Sequence, residues 1–274
     1  MRRDLSVRLV GMTAPAVPAA RRAYRVSPTA ITLVALAALA WVGVVAYARH
    51  MGNGAGTMGL PLQEFLPMWA VMMTAMMLPA VAPVASLYSR TIQSTRAQRL
   101  SLFVAGYLIA WTAAGIPAYA VLRLVDRVTG HSDITMRSIA VVTLTAAGAY
   151  QLSPLKARCL RHCRSPLAQL LHYGNMKGPL RDLKVALHHA GYCLGCCWAL
   201  MALFIAFGVM NVWAMIGLAA IVVAEKMLPR GETIGRLAGT AFLILAVLVL
   251  ASPRIADSLI PNTDTMTEMT EMTG

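Results

Sequence analysis

The residues best equipped for chemistry lie in one stretch, His188-His189-Ala190-Gly191-Tyr192-Cys193-Leu194-Gly195-Cys196-Cys197-Trp198. In a helix, Cys193, Cys196 and Cys197 stand at i, i+3 and i+4, so three thiols share one face, and His189 extends that stripe four residues earlier. Soft sulfur gathered in this way suits Cu(I), with Zn(II) as the second choice, far better than magnesium or calcium. A lone buried cysteine is usually just a small hydrophobe; three on one face behind a histidine point to metal binding or redox chemistry. The sequence offers no nucleophile-base-acid set, no P-loop and no D-K-T-G phosphorylation sequence. It therefore reads as a binding protein and not an enzyme, with a thiol oxidoreductase as the alternative.

Cys159 and Cys163 form a second pair, four apart, on a short amphipathic helix in a basic loop. They either complete the site of the downstream cysteines or make a separate transfer site, and Arg158, Arg161 and Arg164 would favour their thiolates. The plain alternative is a basic helix lying on anionic lipid with small cysteines on its apolar side. Met72, Met73, Met76 and Met77 crowd one hydrophobic segment, with Met68 one turn before. Neutral thioethers can hold Cu(I) without releasing a proton, although methionine also fills irregular core gaps. At the C-terminus, Met266, Met269 and Met272 repeat every three residues in an acidic segment, a spacing like that of methionine motifs that collect copper outside membranes. Accidental regularity in a solubilising tail is the competing reading.

These residues need elements to position them, and the composition says which. Hydrophobic residues make up 58% of the chain and charged residues only 13%, with a mean hydropathy of +0.64; a soluble domain carries about 25% charged residues. Apolar runs of roughly 18 residues or more recur along the sequence, the mark of membrane-crossing helices. Candidate spans fall at 29–48, 65–86, 101–124, 135–152, 188–208, 212–228 and 234–251. The expected fold is all-α, a polytopic membrane helical bundle of six or seven transmembrane helices over residues 29–251. A basic cytoplasmic arm (1–28) precedes it and an acidic, methionine-rich tail (252–274), read as disordered, follows. The fifth and sixth spans meet at a tight turn near Gly208-Val209-Met210-Asn211, and either can be a half-crossing.

The net charge of +13 would suggest nucleic acid in a soluble protein. Here the basic residues lie between apolar runs, and no nucleic-acid partner is expected. Alternate connections sort the 24 basic residues 19 to 5, which puts the N-terminus in the cytoplasm and, with seven spans, the C-terminus outside the plasma membrane. All five cysteines then fall on the reducing side, where ligand or redox roles are favoured over disulfides. Glu225-Lys226 ends the sixth span at the same depth as the cysteines; Glu225 can be a ligand, a charge partner for the loop arginines or, the preferred reading, an interfacial residue with its head in water.

Several blocks together resemble one bacterial family. They are the A-M-M-L-P run at Ala75–Pro79 with Pro83, the segment Tyr150–Lys156 followed by C-L-x-x-C-R-x-P from Cys159, the G-x-C-x-G-C-C-W-A-L-M run from Gly191 to Met201, and the G-V-M-N and E-K-x-x-P blocks. The family is that of predicted metal-binding integral membrane proteins of unknown function, some of which carry the label copper chaperone. The resemblance covers Leu66 to Pro229 and leaves out the first span, the last span and the methionine tail. It implies metal handling in the lipid bilayer, with a metal-receiving protein or membrane complex as partner. The rival classes are a membrane thiol-redox protein using Cys193 and Cys196, an accessory subunit of a membrane complex, and a closed zinc site that ignores the methionines.

Overall fold

The computed structural model describes residues 27–51, 57, 59–92, 94–129, 133–165, 173, 176, 178, 180–252 and 255, and among them the regular structure is all helical. The elements are α1 (Pro28–Met51), α2 (Leu62–Thr91), α3 (Arg96–Thr129), α4 (Asp133–Leu152), α5 (Pro154–Cys163), α6 (Arg181–Ala202), α7 (Phe204–Phe207), α8 (Val212–Met227) and α9 (Gly231–Ala251). Five helical segments are long and apolar enough to cross a membrane: α1, α2, α3, α6 continued by α7, and α9. The α4–α5 pair, bent by 64° at Ser153, makes a sixth. The seventh expected span is α8, whose 16 residues reach only about 24 Å at ~1.5 Å per residue, short of the ~30 Å apolar thickness.

The burial pattern suits a bundle in a lipid environment. Leu39, Ile109, Leu124, Val142, Leu237, Val247 and Leu250 stand exposed on the outer faces of α1, α3, α4 and α9, a surface that water would not tolerate over such an area. The interior belongs to α2 and α6. Their most apolar stretches are 61% and 56% buried, against 17% for α1. Helix α2 packs against α1, α3 and α8, while α6 packs against α3 and α5. Small residues allow the closest approaches. A Cβ on Gly148 of α4 would meet the Gly239 carbonyl oxygen of α9 at 2.8 Å, and one on Gly106 of α3 would meet Ala186 of α6 at 2.9 Å. Backbone proximity of this kind holds apolar helices together where the hydrophobic effect between them is absent.

Local chemistry sets the breaks. Ser153 caps α5 by accepting from the Lys156 amide at 3.2 Å, and Pro154 occupies the first helical position, where its missing N–H costs nothing. Gly208, at φ 86°, ends α7 in a conformation that glycine adopts freely. Asn211 then caps α8 through the Ala214 amide at 3.1 Å.

The contacts sort the helix ends into two sets. At one end the close of α2 meets the starts of α3 and α6: Arg99 donates to both oxygens of Asp182 at 2.9–3.2 Å, and the Tyr88 hydroxyl donates to the same carboxylate. At the other end Arg137 of α4 donates to the carbonyls of Val249 and Leu250 that close α9, at 2.8 and 2.6 Å. Thr57 donates to Asp126 near the end of α3 at 2.7 Å. The helices therefore run up and down in alternation. The long helices α2, α3 and α6 continue past the point where α4 and α8 stop and α9 begins, and α5 lies across the step so formed.

Candidate metal centre

Helix α6 begins at Arg181, seven residues before the expected span, so the cysteines sit in mid-helix and not at its inner end. The ends of α4 and α8 lie beside them, through the Tyr150–Gly195 and Lys226–Cys193 contacts. All three of Cys193, Cys196 and Cys197 are buried (0–1% exposed), and their Sγ atoms lie within 4.8 Å of one another. Cys196 is the centre of the group: its sulfur is 3.3 Å from Cys197 Sγ and 3.8 Å from Cys163 Sγ on α5, and it donates to the Cys193 carbonyl at 3.2 Å. The five cysteines are all free thiols.

Cys163 thus comes to the site from the buried face of α5, which it shares with Lys156 and Leu160. It touches Cys196 but lies outside the mutually close set of three. Cys159, half-buried one turn earlier, rests against Gly195, where a Cβ would stand 3.0 Å from its sulfur; α5 can lie this close to α6 because residue 195 has no side chain. Tyr150 of α4 fixes the same turn by donating to the Gly195 carbonyl.

His189, expected on the thiol stripe, is buried on α6 with its ring 5.9 Å from Tyr107 and 6.3 Å from Phe103 of α3. It too lies outside the close set. Met72, Met73, Met76 and Met77 are wholly buried in the middle of α2, on a different helix from the thiols. Met266, Met269 and Met272, with the basic arm up to residue 26, lie outside the described residues.

The charges around the thiols differ from the expectation. The loop arginines do not supply the nearest cation. Arg164 instead donates to the carbonyls of Glu225, Leu228 and Pro229 at 2.6–3.2 Å, where it satisfies the end of α8 and complements its dipole. Arg161 faces Glu232 at 3.6 Å in an exposed pair. The cation at the site is Lys226, whose Nζ donates to Cys193 Sγ at 2.8 Å. Tyr107 OH shares that sulfur at 3.0 Å.

Glu225 corrects a second expectation. It is not an interfacial carboxylate but 1% exposed, held by Lys156 Nζ at 2.7 and 2.8 Å and by Gln151 Nε2 at 2.9 Å. Lys156 also donates to Gln151. Its carboxylate is thereby committed to α4 and α5 and is not a thiol neighbour. A cavity of about 270 Å³ opens on this network, lined by Gln151, Lys156, Leu160, Arg161, Glu232 and Gly235 among others. The sequence reading missed Tyr107, Gln151, Lys156 and Lys226 as site residues. The signal for three of them was present, since Gln151, Lys156 and Lys226 fall within the blocks that carry the family resemblance. Tyr107, one aromatic among many in an apolar helix, gave none.

Fold and site together define an all-α bundle of membrane-crossing type with a buried thiol cluster at the step between its long and short helices. A family model described as PpoB2, copper chaperone, matches residues 66–249, and the chain belongs to that family. The match runs through α9, so the last span, which the motifs alone left outside, is part of the family's common structure. Neither curated proteins nor solved structures give a match to the chain. Family membership and the three-thiol cluster both fit metal binding.

Proposed function

We propose that this protein binds Cu(I) on Cys193, Cys196 and Cys197 within the plasma membrane of a bacterium and passes it to a metal-receiving protein or membrane complex. The observation that carries this reading is the burial of three thiols whose sulfurs all lie within 4.8 Å. Thiols bind Cu(I) as thiolates, so each ligand thiol releases a proton as its S–Cu bond forms. The Lys226 ammonium beside Cys193 offsets part of the negative charge that three thiolates would otherwise bring into an apolar interior. Cys163, whose sulfur lies 3.8 Å from that of Cys196, is the thiol suited to ligand exchange, taking the ion onto α5 as the trio releases it.

Orientation follows from the basic residues. The step end of the bundle carries the majority side of the 19-to-5 distribution, which assigns it to the cytoplasm. The neutral thioethers of Met72, Met73, Met76 and Met77 then hold the ion weakly at mid-depth, and Met266, Met269 and Met272 collect it outside. Binding and transfer need no catalytic step, and we place the protein among metal carriers and not enzymes. The thiol-redox alternative is disfavoured by burial, because exchange with a partner disulfide needs an accessible sulfur.

One observation favours zinc as a second reading: Cys163 makes a fourth thiol at 3.8 Å from Cys196. That is the sulfur–sulfur edge of a tetrahedral zinc site, about 3.8 Å for ~2.3 Å bonds. A closed site, however, needs all six edges near that length, and Cys163 lies outside the mutually close set.

Competition against a chromogenic Cu(I) chelator, anaerobically in detergent, separates the two. The copper reading predicts that wild type withdraws Cu(I) in the presence of excess Zn(II), and that Cys163→Ser changes affinity less than tenfold. Displacement of copper by zinc, with metal binding abolished equally by loss of any of the four thiols, would establish the zinc site instead.

A further inference from the structure

On the N-terminal side of the thiols along α6, where α5 meets it, lies a second group of metal-capable side chains that the copper reading does not use. His162, between the two cysteines of α5, stacks on Tyr192 of α6 with ring centroids 3.6 Å apart and an interplanar angle of 20°. His188, one turn before Tyr192, stands edge-on to His162 with centroids 5.6 Å apart. It also meets Tyr192 at 5.2 Å and Tyr173 at 5.8 Å. Both residues are half-buried, with His162 Nε2 and His188 Nδ1 turned away from the surface, whereas Cys163 and Cys196 are fully buried.

We propose that His162 and His188 form a second copper site, an imidazole-lined station between the aqueous side and the buried thiols. Imidazole is a good ligand for copper, and stacking engages the face of the His162 ring while its nitrogens lie at the edge. With metal–nitrogen bonds of about 2.0–2.1 Å, a ring centroid sits about 3.2 Å from the ion. Two such centroids are then about 4.5 Å apart for a right-angled pair and about 6.4 Å apart for a linear one. The observed 5.6 Å falls within that range, a separation at which both imidazoles can reach one ion.

The sequence spacing makes the two sites continuous. His162 and Cys163 are consecutive on α5, while His188, Tyr192 and Cys196 follow one another at four-residue steps on α6. Adjacent α5 residues therefore face points two turns apart on α6, His162 toward His188 and Tyr192 and Cys163 toward Cys196, with Tyr192 between the two sites. The site's role as a station rests on the reading of Cys193, Cys196 and Cys197 as the inner copper site. Its binding of an ion does not.

The test uses full-length protein in detergent, loaded anaerobically with Cu(I), and X-ray absorption to count nitrogen and sulfur neighbours. His162→Phe/His188→Phe keeps two aromatic rings in the packing and removes both nitrogen ligands. In a Cys193→Ser/Cys196→Ser/Cys197→Ser background, one nitrogen-bound copper equivalent is expected, and the added phenylalanines should abolish it. The same comparison in the wild-type background covers the case in which the serine variant fails to fold: the nitrogen signal should vanish and the sulfur signal persist. Equal copper and equal nitrogen signal with and without the histidines would overturn the proposal and leave the rings as packing alone. Absence of the sulfur signal from wild type would instead count against the thiol site, an outcome separate from the fate of the nitrogen signal.

Discussion

At the scale of single residues, Lys226 and Lys156 sit one helical contact apart and do different work. Lys226 donates to Cys193 Sγ at 2.8 Å and is the charge that favours a thiolate in an apolar interior. Lys226→Met should weaken Cu(I) binding at least tenfold, about 1.4 kcal/mol, without unfolding the protein; chelator competition measures it, and unchanged affinity would remove Lys226 from the site. Lys156 is paired with Glu225 at 2.7 Å, with both side chains almost fully buried. Removing one member of such a pair strands the other, and Lys156→Met should cost about 3–5 kcal/mol, read as a lower melting temperature in detergent. The double variant Lys156→Met/Glu225→Leu should recover most of that loss, because an apolar pair of similar volume replaces a buried ion pair at little cost. A double variant no more stable than the single one would show that the network contributes more than its ionic contact.

At the scale of elements, the site depends on how closely α5 lies against α6. Gly195 has its missing Cβ 3.0 Å from Cys159 Sγ. Gly195→Val should push α5 away, lengthen the Cys163–Cys196 contact and slow copper removal by an external chelator several-fold, with the three α6 thiols still binding. An unchanged removal rate would free α5 from any part in transfer. Much of this arrangement was legible in the sequence. The i, i+3, i+4 spacing of Cys193, Cys196 and Cys197 brings their sulfurs together as expected, and α5 is the expected short helix, while the sequence left open whether Cys163 joins the other thiols. The start of α6 was not legible, because the helix begins at Arg181 and its first two turns carry Asp182 and Lys184, charges that a hydropathy reading assigns to the loop. Asp182 is nonetheless buried by Tyr88 and Arg99, partners far away in the chain. The same holds for Glu225, whose burial depends on Lys156 and Gln151 from another helix; a charge beside a span looks interfacial until its partner is known.

At the scale of the whole molecule, the account requires a path through the bundle with the step end in the cytoplasm. The methionines of α2 are the mid-depth part of that path. Met72→Leu/Met76→Leu conserves volume and should cost less than about 1.5 kcal/mol in stability, yet reduce copper reaching the thiols in whole cells; equal cellular loading would return the methionines to packing. The bundle's up-and-down order, with α4 and α9 joined at the opposite end through Arg137, also predicts the topology. Reporter fusions should place the start of the chain and the α4–α5 corner in the cytoplasm and the C-terminus outside. A cytoplasmic C-terminus would invert the direction assigned here.

The central claim is that the thiol trio holds copper. The most direct measurement is the metal content of full-length protein purified in detergent under reducing conditions, wild type beside Cys193→Ser/Cys196→Ser/Cys197→Ser, by elemental mass spectrometry. The account predicts near-stoichiometric copper bound to sulfur in wild type and its loss in the variant. Wild-type protein that takes up no sulfur-bound copper, even after anaerobic Cu(I) addition, would contradict it.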